Sequence, residues 1–369
     1  MHPIIVQMTT AADLSYRNNY YICRMQQALN SRFVIDGVAR ELSPAAILAS
    51  VMEKAPVVEA PEGTIIDETF DPPLGTIDID PSAIDSYLAA VKSAPRITPR
   101  ALAAQCTRAR IAFSLIDTAW RSGNFRLDDL PLTAKWCFDP SRVGDMAALY
   151  ASVEAAADYL DTMRLPLRRY GCEQAPFDVR FATPFSGAPL LVDDVLHPDP
   201  QSWVAYVPFD TSEYRLGGSS LALSMGLAGG VAPQVGDPDY LMDCFEVVRE
   251  LAEDGVLLSA STVCSGGLLA ALDRMAASGT GAAIDISGII RSCGETNPVR
   301  ILFSEVPGAV LQIRDTDFDY VDAEFLLQDV AWFPLGHPVA GEGITLETTA
   351  RSGIQNILES LMQNAEGED

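Results

Sequence analysis

The 369-residue chain is 48% hydrophobic and 20% charged, the balance expected of a globular protein long enough for two domains. A formal net charge of −25 sets its surface against DNA, RNA and anionic membranes, so no nucleic-acid or membrane partner is expected. The 25 basic residues include only three lysines, Lys54, Lys92 and Lys135, so a phosphate site must rest on arginine, backbone N–H groups or a metal ion.

Seven cysteines stand at 23, 106, 137, 172, 244, 264 and 293 without a C-x-x-C pair, and His2, His197 and His337 lack zinc-ligand spacing. No structural metal site is expected. An odd number of dispersed cysteines fits a reducing compartment. The opening MHPIIVQMTTAADLSYRNN lacks the basic stretch and apolar core of a signal peptide, and no apolar run reaches the length of a membrane span. A cytoplasmic protein is expected.

In chain order, residues 1–60 read as short helical pieces, such as SPAAILASVMEKA at 43–55. The acid-, Pro- and Gly-rich stretch 60–81 reads as a linker or irregular edge. A long helix is predicted over 98–120, with Thr98 as N-cap ahead of Pro99. DMAALYASVEAAADYLDTM, 145–163, predicts another. FDVRFATPF (177–185) and SWVAYVPFD (202–210) alternate like half-buried strands. LGGSSLALSMG (216–226) is a glycine turn opening a short helix, and DYLMDCFEVVRELAEDG (239–255) an amphipathic helix closed by Gly255. LLSASTVCSGGLLAALDRMAASG (257–279) predicts a strand, a double-glycine turn and a helix capped by Ser265. GAAIDISGII (281–290) and PVRILFSEVPGAVLQIRD (298–315) read as strands, the second broken into two by Ser304-Glu305-Val306-Pro307-Gly308. The AEGED tail is expected to fray. The expected fold is therefore α/β (α+β), an α-rich part with some sheet ahead of a compact α/β unit from about 205 to 338.

Three places carry candidate chemistry. Gly217, Gly218 and Ser219 precede a helix, where free N–H groups attract anions; an isolated pair of glycines is more commonly just a tight turn. Ser265, Gly266 and Gly267 repeat the device, and Cys264 sits where a helix dipole would lower its pKa. No histidine lies nearby, and a catalytic cysteine is not expected. Ser304, Glu305 and Gly308 put one carboxylate in a turn between apolar runs.

The order of these motifs resembles the phosphoribosylformylglycinamidine synthase family of the aminoimidazole ribonucleotide synthetase-like superfamily. LGGSSLALSMG, DPDYLMDCFEVVRELAEDGVLLSAS (237–261), SGGLLAALDRMA (265–276) and VRILFSEVPGAVLQI (299–313) carry the likeness over 202–338. ARIAFSLIDTAW (109–120), LTAKWCF (132–138) and LYASVEAAADYL (149–160) extend it over roughly 75–338. It looks closest to the C-terminal synthetase half of the large single-chain enzyme. The resemblance implies a two-domain fold: a divergent helical segment and linker over 1–75, an N-terminal-like sheet and helix domain over 76–204, a C-terminal-like α/β domain over 205–338, and a C-terminal helix and tail over 339–369.

The resemblance also implies an ATP-dependent carbon–nitrogen ligase of purine synthesis, with ATP or ADP and Mg²⁺, and ammonia from a glutaminase subunit. The residues depart from it. Where the family has H-D-x-S-x-G-G, this chain has Ser261-Thr262 and Cys264, and hydroxyls lack the acid–base range of His and Asp. The family's G-K-D-S loop is replaced by LPLRRYGCEQAPFDVRF (165–181), where Arg168 and Arg169 are offered as partial substitutes for its phosphate contacts. Lys135 stands where the family has Asn in S-A-N-W. No glutaminase segment and no first synthetase half are read in the chain. No catalytic residue is therefore assigned. The expected function is a non-catalytic or partner-dependent homologue holding nucleotide or phosphate at Gly217, Gly218, Ser219, Ser265, Gly266, Gly267, Ser304, Glu305 and Gly308. A homodimer or a synthetase-like partner chain is expected, and an active ligase subunit is the alternative.

Overall fold

The computed structural model describes residues 24–54, 65–70, 75–123, 126–276 and 279–347. After a helix at 24–30, β1 (Arg32–Ile35) and β2 (Val38–Ala39) form a hairpin, and Asp36 and Gly37 at its tip both have positive φ. That is the two-residue turn that an Asp-Gly pair favours. Helix α1 (Pro44–Ser50) is capped by the Ser43 hydroxyl and starts on a proline. β3 (Ile65–Glu68) joins β1 in parallel, so this segment holds a three-stranded sheet beside the helices expected from sequence.

Helix α2 (Ile84–Val91) follows, then a 3-10 turn and α3 (Ala103–Ile116). Thr98 does not cap this helix; its hydroxyl donates to Asp178 Oδ1 at 3.1 Å, and Pro99 precedes the turn. β4 (Leu132–Cys137), α4 (Asp145–Thr162), β5 (Leu167–Glu173) and β6 (Asp178–Ala182) complete the first half. These strands make a second sheet of order β5-β4-β6, parallel on one side of β4 and antiparallel on the other. Its inner face buries Leu132 and Trp136 against α3 and α4, and the indole N–H of Trp136 reaches the buried hydroxyl of Ser152. Its outer face shows Lys135, Arg169, Glu173 and Arg180 to solvent.

The second half begins with β7 (Trp203–Pro208), α5 (Ser220–Ser224), α6 (Pro238–Glu253), β8 (Leu257–Val263) and α7 (Gly267–Met275). Asp237 caps α6, and Gly255 at φ 70 ends it as read from the sequence. β9 (Thr280–Ile284), α8 (Ser287–Cys293), α9 (Pro298–Phe303), β10 (Gly308–Ile313), α10 (Phe318–Leu327), β11 (Phe333–Ala340) and β12 (Ile344–Leu346) follow. The six strands form one mixed sheet, β12-β9-β11-β7-β10-β8.

Two expectations are corrected here. PVRILF is helix, because the Asn297 side chain caps it and Pro298 occupies its first turn; only β10 is strand, so there is no hairpin across Glu305. Likewise SGII in the 281–290 stretch starts α8, with the Asp285 carboxylate receiving the Ser287 N–H at 2.8 Å. Of the C-terminal helix and tail expected over 339–369, residues 339–347 instead hold the end of β11 and β12, and the rest lies outside the described residues.

The two halves share one core. Leu115, Trp120 and Trp136 of the first pack into the same buried cluster as Phe245, Ala260 and Leu311 of the second. The indole N–H of Trp120 crosses between them to the Thr262 hydroxyl at 2.9 Å. A second cluster joins α7 and α9 to α2 through Leu268, Phe303 and Val91.

Candidate functional site

A cleft of about 650 Å³ opens between the halves. One wall is the 92–97 segment, the exposed side of α3 and β6; the other is the 217–220 turn, the 264–265 turn, Arg274 and Glu305. Lys92, Arg96, Arg110, Arg180 and Arg274 line it against two acids, Asp178 and Glu305. A basic cleft in a chain of net charge −25 is a local reversal of sign, and low-dielectric walls concentrate such a field.

Most of these cations are held in place. Lys92 pairs with Asp273 at 2.8 Å, and Arg274 donates to the Thr262 carbonyl at 2.9 Å. Arg110 is bound to the Asp178 carboxylate and donates to the Ile97 carbonyl at 3.2 Å. Asp178 is 4% exposed and takes a second arginine, Arg180, through Nε at 2.9 Å.

Glu305 joins the two glycine turns. Its Oε1 accepts the N–H of Ser220 at 2.7 Å and of Gly266 at 2.8 Å. Desolvation dominates its titration and pushes its pKa up, while these two donors pull it down. The backbone donors expected to cradle a phosphate are thus already aimed at a carboxylate of the chain itself.

The other candidate residues divide by role. Gly217, Gly218 and Ser265 line the cleft. Ser219 is 1% exposed; it caps α5 by accepting the Ala222 N–H at 3.3 Å and donates to the Leu216 carbonyl. Ser304 is buried, its hydroxyl donating to the Arg215 carbonyl at 2.7 Å. Gly267 is needed for packing, since a Cβ there would lie 2.6 Å from the Leu302 carbonyl oxygen. Gly308 belongs to the sheet, where a Cβ would meet the Tyr206 ring at 2.7 Å. Ser265 does not cap α7: Gly266 fills that place at φ 88 without a side-chain bond.

Cys264 also departs from expectation. Burial pushes its thiol up, against the opposing pull of Arg274. Cys106, across the cleft, is pushed up to about 11 by the same cause. Neither supplies a thiolate nucleophile at neutral pH. Thr262, where the family has an acid–base residue, spends its hydroxyl on Trp120. Of the two arginines offered as phosphate donors, Arg169 lines a separate shallow groove on the open face of the β5-β4-β6 sheet and Arg168 lines neither cavity. Arg110 and Arg180, which sequence reasoning missed, line the cleft instead; the rarity of basic residues in this chain was the available signal. Among the described residues no group of three His, Cys, Asp or Glu side chains is placed to hold a metal, and no helix is long and apolar enough to cross a membrane.

The family match falls on the second half. Residues 211–346 fit the model of the AIR synthase related protein, C-terminal domain. Residues 211–346 thus carry an AIR synthase-related domain. The domain coincides with the segment whose glycine turns and S-E-x-P-G stretch carry the sequence resemblance. Over 148 residues the chain is 28% identical to phosphoribosylformylglycinamidine synthase of Homo sapiens, covering 40% of this chain and 11% of that protein. It thus spans only a small part of that relative's length. Among solved structures, T. maritima PurL complexed with FGAR is 14% identical at a TM-score of 0.47, covering 74% of this chain and 45% of that one. Thiamine-monophosphate kinase from Stenotrophomonas maltophilia K279a is 14% identical at 0.44, covering 66% and 79%.

Proposed function

We propose that this AIR synthase-related chain is a divergent phosphoribosylformylglycinamidine synthase-like protein that holds a small phosphorylated ligand between its halves and does not run the ligase reaction alone. The observation that carries the reading is the basic lining of the cleft in a chain of net charge −25. Arginine binds phosphate through paired N–H groups, which suits a chain with so few lysines.

The lining argues against unaided catalysis. Ser261 and Thr262 offer no acid–base group in the neutral range, both cleft thiols are pushed up, and Glu305 is engaged by two backbone N–H groups. A Mg²⁺–nucleotide does not fit the glycine turns as they stand, because those donors serve Glu305. No phosphoryl-transfer step is derived through them.

Isothermal titration of the full chain tests the reading with formylglycinamide ribonucleotide, ADP with and without Mg²⁺, and inorganic phosphate, at one fixed ionic strength. A phosphorylated ligand should bind and its dephosphorylated form should not. If none of the phosphorylated probes binds, the reading is wrong.

A second reading, an active subunit completed by another synthetase-like chain, has the uncovered outer face of the β5-β4-β6 sheet in its favour. It requires that ADP be released from ATP, ammonia and formylglycinamide ribonucleotide only when that second chain is added.

A further inference from the structure

Asp178 is the buried centre of a three-residue charge cluster. Its Oδ1 accepts the Thr98 hydroxyl at 3.1 Å and Arg110, and its Oδ2 accepts Arg180 Nε at 2.9 Å. One negative charge thus meets two positive ones, leaving a surplus of positive charge at the cleft. The two arginines are used differently. Arg110 also donates to the carbonyls of Val179 and Ile97, so its guanidinium is spent on the fold. Arg180 uses Nε alone; its two terminal nitrogens have no partner among the described residues, and its side chain is 61% exposed.

Arg180 also stands where a ligand would meet it. It lines the cleft and the neighbouring groove on the outer sheet face, so it forms the ridge between them. Lys135, directly across the β4-β6 register from it, is paired with Glu173. The remaining cleft cations are weaker candidates. Lys92 and Arg274 have internal partners, and Arg96 sits on a loop with no side-chain anchor among the described residues. An unanchored arginine loses more rotamer freedom on binding than one already held at Nε.

We infer that Arg180 grips the phosphoryl group of the cleft ligand through its two terminal nitrogens, and that Asp178 is the positioning residue that holds it at the right angle. This rests on the phosphorylated-ligand reading above and names the residue that would select for the charge. A guanidinium fixed at Nε presents its other two N–H-bearing nitrogens as a fork, the geometry that matches two phosphate oxygens.

The test is titration of the full chain with inorganic phosphate, formylglycinamide ribonucleotide and ADP, in the wild type, Arg180→Ala, Arg180→Lys, Arg96→Ala, Asp178→Asn and the Arg180→Ala/Asp178→Asn double variant. Arg180→Ala should weaken binding of whichever probe the wild type binds by about tenfold, the worth of one charge-assisted contact. Arg180→Lys should recover only part of this, since a lysine offers a point charge without the fork. Asp178→Asn should weaken binding in the wild type and have no further effect in the Arg180→Ala background, as a residue acting through Arg180 must. Removing Asp178 leaves Arg110 without its carboxylate and endangers the fold, whereas Arg180→Ala truncates an exposed side chain and keeps the test valid. If Arg180→Ala binds as the wild type does, or if Arg96→Ala carries the loss instead, the assignment of Arg180 falls while the cleft reading stands. If the wild type binds none of the three probes, both fall together.

Discussion

The Glu305 carboxylate accepts the N–H of Gly266 at 2.8 Å and, through the same oxygen, the N–H of Ser220 at 2.7 Å. One side chain thereby ties the first turn of α7 to that of α5. Removing it strands two backbone donors at the floor of the cleft. Glu305→Ala should cost about 2 kcal/mol in urea unfolding near neutral pH, the order expected for unsatisfied buried donors. Glu305→Gln keeps a carbonyl oxygen in reach and should cost clearly less. Equal losses in the two variants would mean that the carboxyl oxygen is not what joins the turns.

The same residue sets a pH dependence with a definite sign. Desolvation raises the folded pKa of Glu305 above the ordinary carboxylate value of 4.5. A raised carboxylate binds its proton more tightly in the folded state, so its stabilising contribution is complete below 4.5 and fades as pH rises through the folded pKa. Glutamine does not titrate. Measured by urea midpoints from pH 4.5 upward, the advantage of wild type over Glu305→Gln should shrink as pH rises, then level off. An advantage that grows with pH would show that the two N–H donors outweigh burial.

Thiol reactivity should sort by environment. Burial pushes Cys106 up to about 11 and Cys172 to about 12, whereas Cys293 is exposed. For a thiol titrating near 11, roughly one molecule in a thousand carries the thiolate around pH 8. Peptide mapping after brief iodoacetamide treatment of the native chain should find Cys293 modified well ahead of Cys106, Cys172 and Cys264. Early labelling of Cys106 would overturn its description as an inert cleft thiol.

The long helices were legible because local signals agree. In α4 and α6 the apolar stripe, and for α6 also Asp237 at one end and Gly255 at the other, point to the same bounds. α9 was misread as strand because PVRILF is a short apolar run with no decisive period. Asn297 and Pro298 were the better signal. The cleft was legible only on one wall. Gly217, Gly218, Ser265 and Glu305 lie in glycine-bearing turns that stand out in sequence, and they do converge. The other wall depends on Asp178 gathering Thr98 and Arg110 from distant elements, a relation no local pattern contains. Nor does the sequence show that Ser219 and Ser304 turn their hydroxyls inward to backbone carbonyls.

Gly226 and Gly267 separate conformational cost from steric cost. Both have φ of 72°, but a Cβ at Gly226 meets nothing within 4 Å, while one at Gly267 lies 2.6 Å from the Leu302 carbonyl oxygen and 2.8 Å from Phe303 backbone atoms. Gly226→Ala should cost about 1–2 kcal/mol, the strain of a left-handed alanine. Gly267→Ala adds a clash with backbone at the end of α9 and should exceed about 4 kcal/mol. Similar unfolding free energies for the two variants would mean that α7 and α9 are not packed as closely as described.

Trp120 and Thr262 give the corresponding test between the halves. Trp120 is 2% exposed at the end of the α3 segment, and its indole N–H reaches the Thr262 hydroxyl on β8 at 2.9 Å. Thr262→Val keeps the shape and removes the acceptor, leaving a buried N–H unpaired at about 1–3 kcal/mol. Trp120→Phe removes the donor and leaves a void as well, so it should cost more. Once the indole is gone, the Thr262 hydroxyl has lost the partner that made it valuable. The double variant should therefore lose less than the sum of the two single losses, by about 0.5 kcal/mol or more. Strict additivity in urea unfolding would show that the two side chains do not interact. The bond between the halves would then have to be credited to apolar packing around Leu115, Ala260 and Leu311 alone.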